Sequence, residues 1–201
     1  MNNVPLIKIK AATAAEVCAH FTLEKQPRAL LDDGMTPREF LAALIAGKQA
    51  RTGIDFIAHA LPPRDAIWWG SLCLQHVCGD DLSVSDKAAC KAAVRWVLQP
   101  TEENRAGANA PAQAAGPASP AGGLANAAYH TGGNIAPPKA PPVAPGPFDA
   151  AKAVARAVTI ASTEAEPARI VETQKLFVEL GIGIAEGKFP FTEAKNITAV
   201  R

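Results

Sequence analysis

Apolar residues along this chain recur at helical spacing far more often than in alternation. Phe40, Leu41, Leu44 and Ile45 make one stripe. Ile54, Ile57, Ala58 and Leu61 make a second, and Cys90, Ala93, Val94, Val97 and Leu98 a third. Between the last two lies a stretch that is apolar nearly all round. It comprises Ala66, Ile67, Trp68, Trp69, Leu72, Cys73, Leu74, Val77 and Cys78, with only Arg64, Ser71 and Gln75 as a narrow polar stripe. A helix without a wet face must be surrounded by other helices, so this one is predicted to be the centre of the first half. Further on, Ala151, Val154, Ala155 and Val158 mark one helix, and Ile170, Phe177, Leu180 and Ile184 another. Strand-like alternation is confined to Leu6–Lys10. The pattern predicts an all-α protein, a compact bundle of short helix pairs.

Start and stop signals divide these helices. Thr13 and Glu16 have capping-box spacing, which predicts a helix running to about Phe21. Thr36-Pro37-Arg38-Glu39 is stronger, with a hydroxyl cap, a first-turn proline and a carboxylate to close the box. Gly47 ends that helix. Pro62-Pro63 ends the next and opens the tryptophan-bearing one. Ser85-Asp86 offers a cap for the helix that stops before Pro100. Pro167 opens the last helix and Gly187 closes it.

Two helical blocks result, 1–100 and 148–187, read as parts of one helical domain spanning 1–201. Between them, 101–147 is rich in Pro, Gly and Ala. Residues 106–147 hold nine of the 17 prolines and seven of the 15 glycines, and Lys139 is their one formal charge. Two readings stand side by side: a flexible linker, or an extended strap across the helices anchored by Tyr129, Ile135 and Val143. Within it, Ser119-Pro120 is a helix-start signal, with Leu124, Ala127, Ala128 and Tyr129 following. The second block is short for a stable unit and needs the first block to cover its stripe.

Composition narrows the functional classes. Of 201 residues, 48% are hydrophobic and 5% aromatic, so the core should be alanine-rich and tightly spaced. The 20 basic residues balance 19 acidic ones, and neither half carries a surplus that would steer it to phosphate backbones. Nucleic acid is not expected as a partner. No run approaches the roughly 18 apolar residues of a membrane span, and MNNVPLIKIK lacks the apolar run of a secretory signal. A cytoplasmic location without membrane insertion is expected, and with it free buried thiols at Cys18, Cys73, Cys78 and Cys90.

Candidate chemistry is sparse. Cys73, His76 and Cys78 come nearest to a metal cluster, with Cys18 and His20 as further ligands. However, no CxxC pair is present, and on one helix Cys78 points away from His76. His59 is read as serving the last carbonyls of its helix, because no acid or nucleophile adjoins it in sequence. Gly122-Gly123 and Gly132-Gly133 lack the phosphate-loop pattern. No catalytic residue, cofactor or metal is assigned. The residues singled out as core or partner contacts are Trp68, Trp69, Arg64 and Tyr129. Adjacent tryptophans on a helix point about 100° apart. Either both are core, or one faces the core and the other the insert or a partner.

Four phrases carry a resemblance: ALPPRDAIWWGSLC at 60–73, PTEEN at 100–104, GGNIAPP at 132–138 and FDAAKAVARAV at 148–158. Together they resemble a bacterial family carried as a domain of unknown function, some of whose members are encoded beside type VI secretion genes. The resemblance spans about 50–190, and its most specific piece is PPRxAxWW. The chain departs from it after PTEEN, where Gly107 and Pro111 interrupt a helix. The resemblance implies no activity. The expected function is a noncatalytic interaction, accessory or adaptor protein of a bacterial assembly, with a protein partner. The rival expectation is a Cys/His-dependent or metal-dependent enzyme.

Overall fold

The computed structural model describes residues 4–79, 81–137 and 139–191. It is 63% helical, with no strand among the described residues. The N-terminal segment makes turns and extended chain where alternation had suggested a strand. Lys8 N donates to the Ala185 carbonyl at 3.0 Å, so the segment is tied to a helix end and has no neighbouring strand.

The first helices form where their caps direct. Helix α1 (Ala14–Cys18) is capped by Thr13, whose Oγ1 accepts from Glu16 N, and it stops short of the expected Phe21. Helix α2 (Lys25–Arg28) is a single turn. Helix α3 (Pro37–Ala46) has the full capping box of Thr36 and Glu39 with proline in its first turn. Helix α4 (Ala50–Ala60) begins a turn before the apolar stripe. Helix α5 (Pro63–Cys78) follows directly after Pro62. Helix α6 (Val84–Leu98) is capped by Ser83 and not by Ser85, because the Ser83 Oγ accepts from Asp86 N three residues on.

The expected strap is largely helical. Helix α7 (Glu102–Gly107) and helix α8 (Asn109–Ala115) meet at Ala108. Gly107 thus marks the joint, and Pro111 falls in the first turn of α8, where its missing N–H costs nothing. Helix α9 (Pro120–Tyr129) starts at the Ser119 cap and packs against α5, α6, α8 and α10. Residues 130–137 and 139–147 lie outside helices, as turns, bends and irregular chain. Val143, expected as an anchor there, is 51% exposed. Asn134 orders this stretch, its Oδ1 accepting from Ala136 N and Val143 N.

Helix α10 (Asp149–Ser162) and helix α11 (Ile170–Ala185), preceded by a 3-10 turn at Pro167–Arg169, complete the bundle. Helix α10 packs on α9, α5 and α4, and α11 on α4 and α5. Every residue from Asp65 to Leu74 of α5 is buried, as expected of a helix without a wet face. Small side chains set the spacing. A Cβ on Gly123 of α9 would lie 2.9 Å from Ala157 Cβ of α10, so the two helices approach at a distance only glycine permits.

Candidate functional site

The four residues singled out from the sequence are committed to internal contacts. Trp68 and Trp69 are 1% and 0% exposed. Trp69 Nε1 donates to the Phe177 carbonyl of α11 at 2.8 Å, and Trp68 Nε1 to the Phe189 carbonyl at 2.9 Å. Both are therefore core, on two different sides of α5. Arg64 Nε donates to the Val97 carbonyl at 2.6 Å, satisfying the end of α6, and its guanidinium lies 4.5 Å from the centre of the Phe191 ring.

Tyr129 belongs to a cluster that the sequence reading overlooked. Arg105 is buried and grips Glu102 with two parallel bonds of 2.7 Å, while its Nη1 donates to the Tyr129 carbonyl. The Tyr129 ring lies 5.0 Å from the guanidinium. A Cβ on Gly133 would come within 2.6 Å of that guanidinium. The PTEEN and GGN phrases thus meet around one arginine and brace the joint between α9 and the extended stretch. Glu102 and Arg105 stand at i,i+3 spacing, which was the signal in the sequence. All of these groups are spent on one another, which makes this a structural brace.

The cysteines do not assemble a site. Cys18 and Cys73 are buried and Cys78 and Cys90 half-buried, all of them free. Burial pushes the Cys18 thiol up to about 11 and Cys90 to about 12, the latter helped by Asp86. Cys73 is held well above its ordinary range by complete burial. Burial also raises Cys78, with Glu164, Asp86 and Asp81 adding to it. Such thiols stay protonated at neutral pH and are poor nucleophiles. No group of three or more His, Cys, Asp or Glu among the described residues is placed to hold a metal ion. Modification of Cys73 by a thiol reagent is expected to track global unfolding, and all four cysteines should react once the chain is denatured. Rapid native labelling of Cys73 would contradict its place in the core.

Unspent polar groups gather elsewhere. A cleft of about 680 Å³ opens between α4, α10 and the turn after α1. Helix α4 contributes Arg51, Asp55 and His59, spaced by four so that they share one side. Helix α10 contributes Lys152, Arg156 and Thr159 from the facing side, and His20 and Phe21 close one end. The His20 ring stacks on Phe148 at 4.1 Å between centroids, and Phe21 lies 5.1 Å from His59. Expected to serve the last carbonyls of α4, His59 instead places its Nδ1 2.7 Å from the Asp55 carbonyl, one turn back inside the helix. A carbonyl only accepts, so Nδ1 carries the proton and Nε2 a bare lone pair. That Nε2 is buried and has no hydrogen-bond partner among the described residues. Asp55 also lines the cleft one turn away, an acid that sequence adjacency did not reveal.

The charges of the cleft are unequal. Arg51 and Asp55 pair at 2.9 Å, and burial raises the Asp55 carboxyl above its usual range against the pull of that arginine. Lys152 stands 3.8 Å from Asp149. Arg156 is exposed and makes no ion pair or side-chain hydrogen bond among the described residues. The cleft therefore presents two cations on one helix turn, Arg156 without an ion pair among the described residues and Lys152 with only the 3.8 Å approach of Asp149.

Burial lowers the His59 pKa, against the opposing pull of the Asp55 carbonyl and carboxylate. The unfolded chain takes up this proton near pH 6.5 while the folded one still refuses it. The stability tied to a neutral His59 is thus fully present above about 6.5 and lost as pH falls below it. His59→Gln is expected to flatten the fall in urea midpoint between about pH 7.5 and 5.5. An unchanged slope would show that His59 takes its proton as readily folded as unfolded.

Residues 40–185 match the model of a family described as a family of unknown function (DUF6931), and the chain belongs to that family. The match includes α4 and α10, and so both long walls of the cleft. No curated protein and no solved structure matches the chain.

Proposed function

We propose that this member of the family is a noncatalytic accessory or adaptor protein of a bacterial assembly, of the secretion-system kind, and that it holds a protein partner at the cleft between α4 and α10. The observation that carries this reading is the positive charge of that cleft, where Arg156 has no ion pair among the described residues and Lys152 has only the 3.8 Å approach of Asp149. Lys152 and Arg156 project from a rigid helix whose other face is core, with Val154, Ala155, Ala157 and Val158 buried. Positioned cations on a fixed scaffold favour recognition, and arginine is, with tryptophan and tyrosine, enriched at the energetic centre of interfaces. Overall charge balance argues against a nucleic-acid partner. No helix among the described residues is long and apolar enough to cross a membrane.

The rival enzyme reading draws on one observation, the bare Nε2 of His59 in a cleft that also holds Asp55. Its weakness is the nucleophile. The four thiols are held protonated by burial and nearby acids, and none of them lines the cleft.

Affinity purification from the native host tests the proposal. The intact chain and an outer-face control, Glu103→Lys, should retain the same specific partner. Lys152→Glu combined with Arg156→Glu should lose it while folding normally by circular dichroism. A partner retained equally by the cleft variant would move the interaction away from this surface.

A further inference from the structure

The cleft does not end at α10. A second depression of about 260 Å³ lies along the adjoining face of that helix, against α8 and the start of α9. Arg156 and Ile160 line both depressions. The two depressions therefore adjoin along α10, with Arg156 and Ile160 on the edge they share.

The two ends differ in chemistry. The first presents Lys152 and Arg156, one helical turn or about 6 Å apart along the axis, a separation that one carboxylate can bridge. Among the described lining residues the one acid, Asp55, is occupied by Arg51, while Lys152 keeps a longer 3.8 Å contact with Asp149. The second end carries no charge besides Arg156. Gly116, where a Cβ would meet nothing within 4 Å, and Pro117 border it, and Asn126 lines it. The Asn126 side-chain amide makes no hydrogen bond among the described residues, although its backbone carbonyl serves His130. An amide with a free donor and a free acceptor matches the peptide group, which has one of each.

Resting on the reading of the cleft as a partner site, we propose that its occupant is an extended, acidic peptide segment of the partner protein. The segment lies across α10, with a carboxylate on Arg156 and Lys152 and its backbone against the Asn126 amide. A small anion would fill only the charged end. A nucleic-acid strand would need a run of cations along both ends, and the second end has none.

The test uses the full chain as bait for a displayed library of random twelve-residue peptides, with counter-selection on the Arg156→Glu variant. Enriched sequences should carry two or more Asp or Glu residues. A synthesised representative should perturb backbone resonances of residues in both depressions, including Gly122 and Asn126 as well as Lys152. Arg156→Glu should weaken it about tenfold or more, the scale of a reversed interface charge. Asn126→Ala should weaken it with its salt dependence unchanged, because that contact carries no charge. Enrichment of neutral or basic peptides, or no enrichment, overturns the proposal. So does binding of inorganic phosphate or citrate that perturbs the charged end as strongly as the peptide does, which would mark a small-anion site. If the native partner still depends on Lys152 and Arg156 while acidic peptides fail, this inference falls and the cleft remains the partner surface. If the partner ignores those residues, the underlying reading falls.

Discussion

Trp69→Ala is expected to cost about 3 to 5 kcal/mol, the range for removing a large aromatic side chain from a packed core. Folded domains of ordinary size are stable by only about 5 to 15 kcal/mol, so this is a large share of the total. Trp69 is fully buried at the middle of α5, and its indole bonds to α11. Helices α4, α6, α9, α10 and α11 all contact α5, so a cavity there loosens several interfaces together. Trp69→Phe should cost less, since it keeps most of the volume and loses mainly the bond to the Phe177 carbonyl. Urea denaturation followed by far-ultraviolet circular dichroism measures both. A loss below about 1 kcal/mol for the alanine variant, small even for an ordinary core truncation, would show that the site collapses freely and that α5 is not the centre of the bundle.

The opposite change at the same interface should be nearly as damaging. Gly181 of α11 faces α4 and α5, and a Cβ there would lie 2.6 and 2.7 Å from two carbons of Ile57 and 3.2 Å from Trp69 Cε2. Ile57 and Trp69 are buried and cannot swing into solvent. Gly181→Val is expected to destabilise by about 2 to 3 kcal/mol through overpacking. Combining it with Ile57→Ala makes room for the added methyl groups, so the double variant should be more stable than the sum of the single losses implies. Strict additivity in that cycle would mean that α11 moves aside as a body, and the close approach of α11 to α4 would then matter little to stability.

These two positions show how differently the chain disclosed its parts. Trp69 stood out because nine apolar residues wrap its helix all round, and a helix of that kind has only one place to go. Gly181 did not stand out. A glycine in an apolar run says nothing of its neighbours until a second helix is laid against it.

What the sequence determined by itself was local: that the elements are helices, and where several of them begin. Those facts depend on side chains within one or two turns, such as the reciprocal bonds of Thr36 and Glu39, and they hold whatever the rest of the chain does. Even the misplaced cap of α6 was a local choice, between Ser83 and Ser85, decided by which hydroxyl lies three residues from a carboxylate-bearing N–H. The tertiary structure alone decided the rank of α9 and the existence of the cleft. Helix α9 is built largely of Ala and Gly, which bury little apolar area each and resemble linker composition. It becomes core because small side chains let it press against α10. The two walls of the cleft were present in the sequence as spacings of four, Arg51-Asp55-His59 on one helix and Lys152-Arg156 on another. A spacing fixes which side chains share a helix face but not which face meets which. Ninety-three residues separate His59 from Lys152, and only the packing of α4 against α10 brings them to one site.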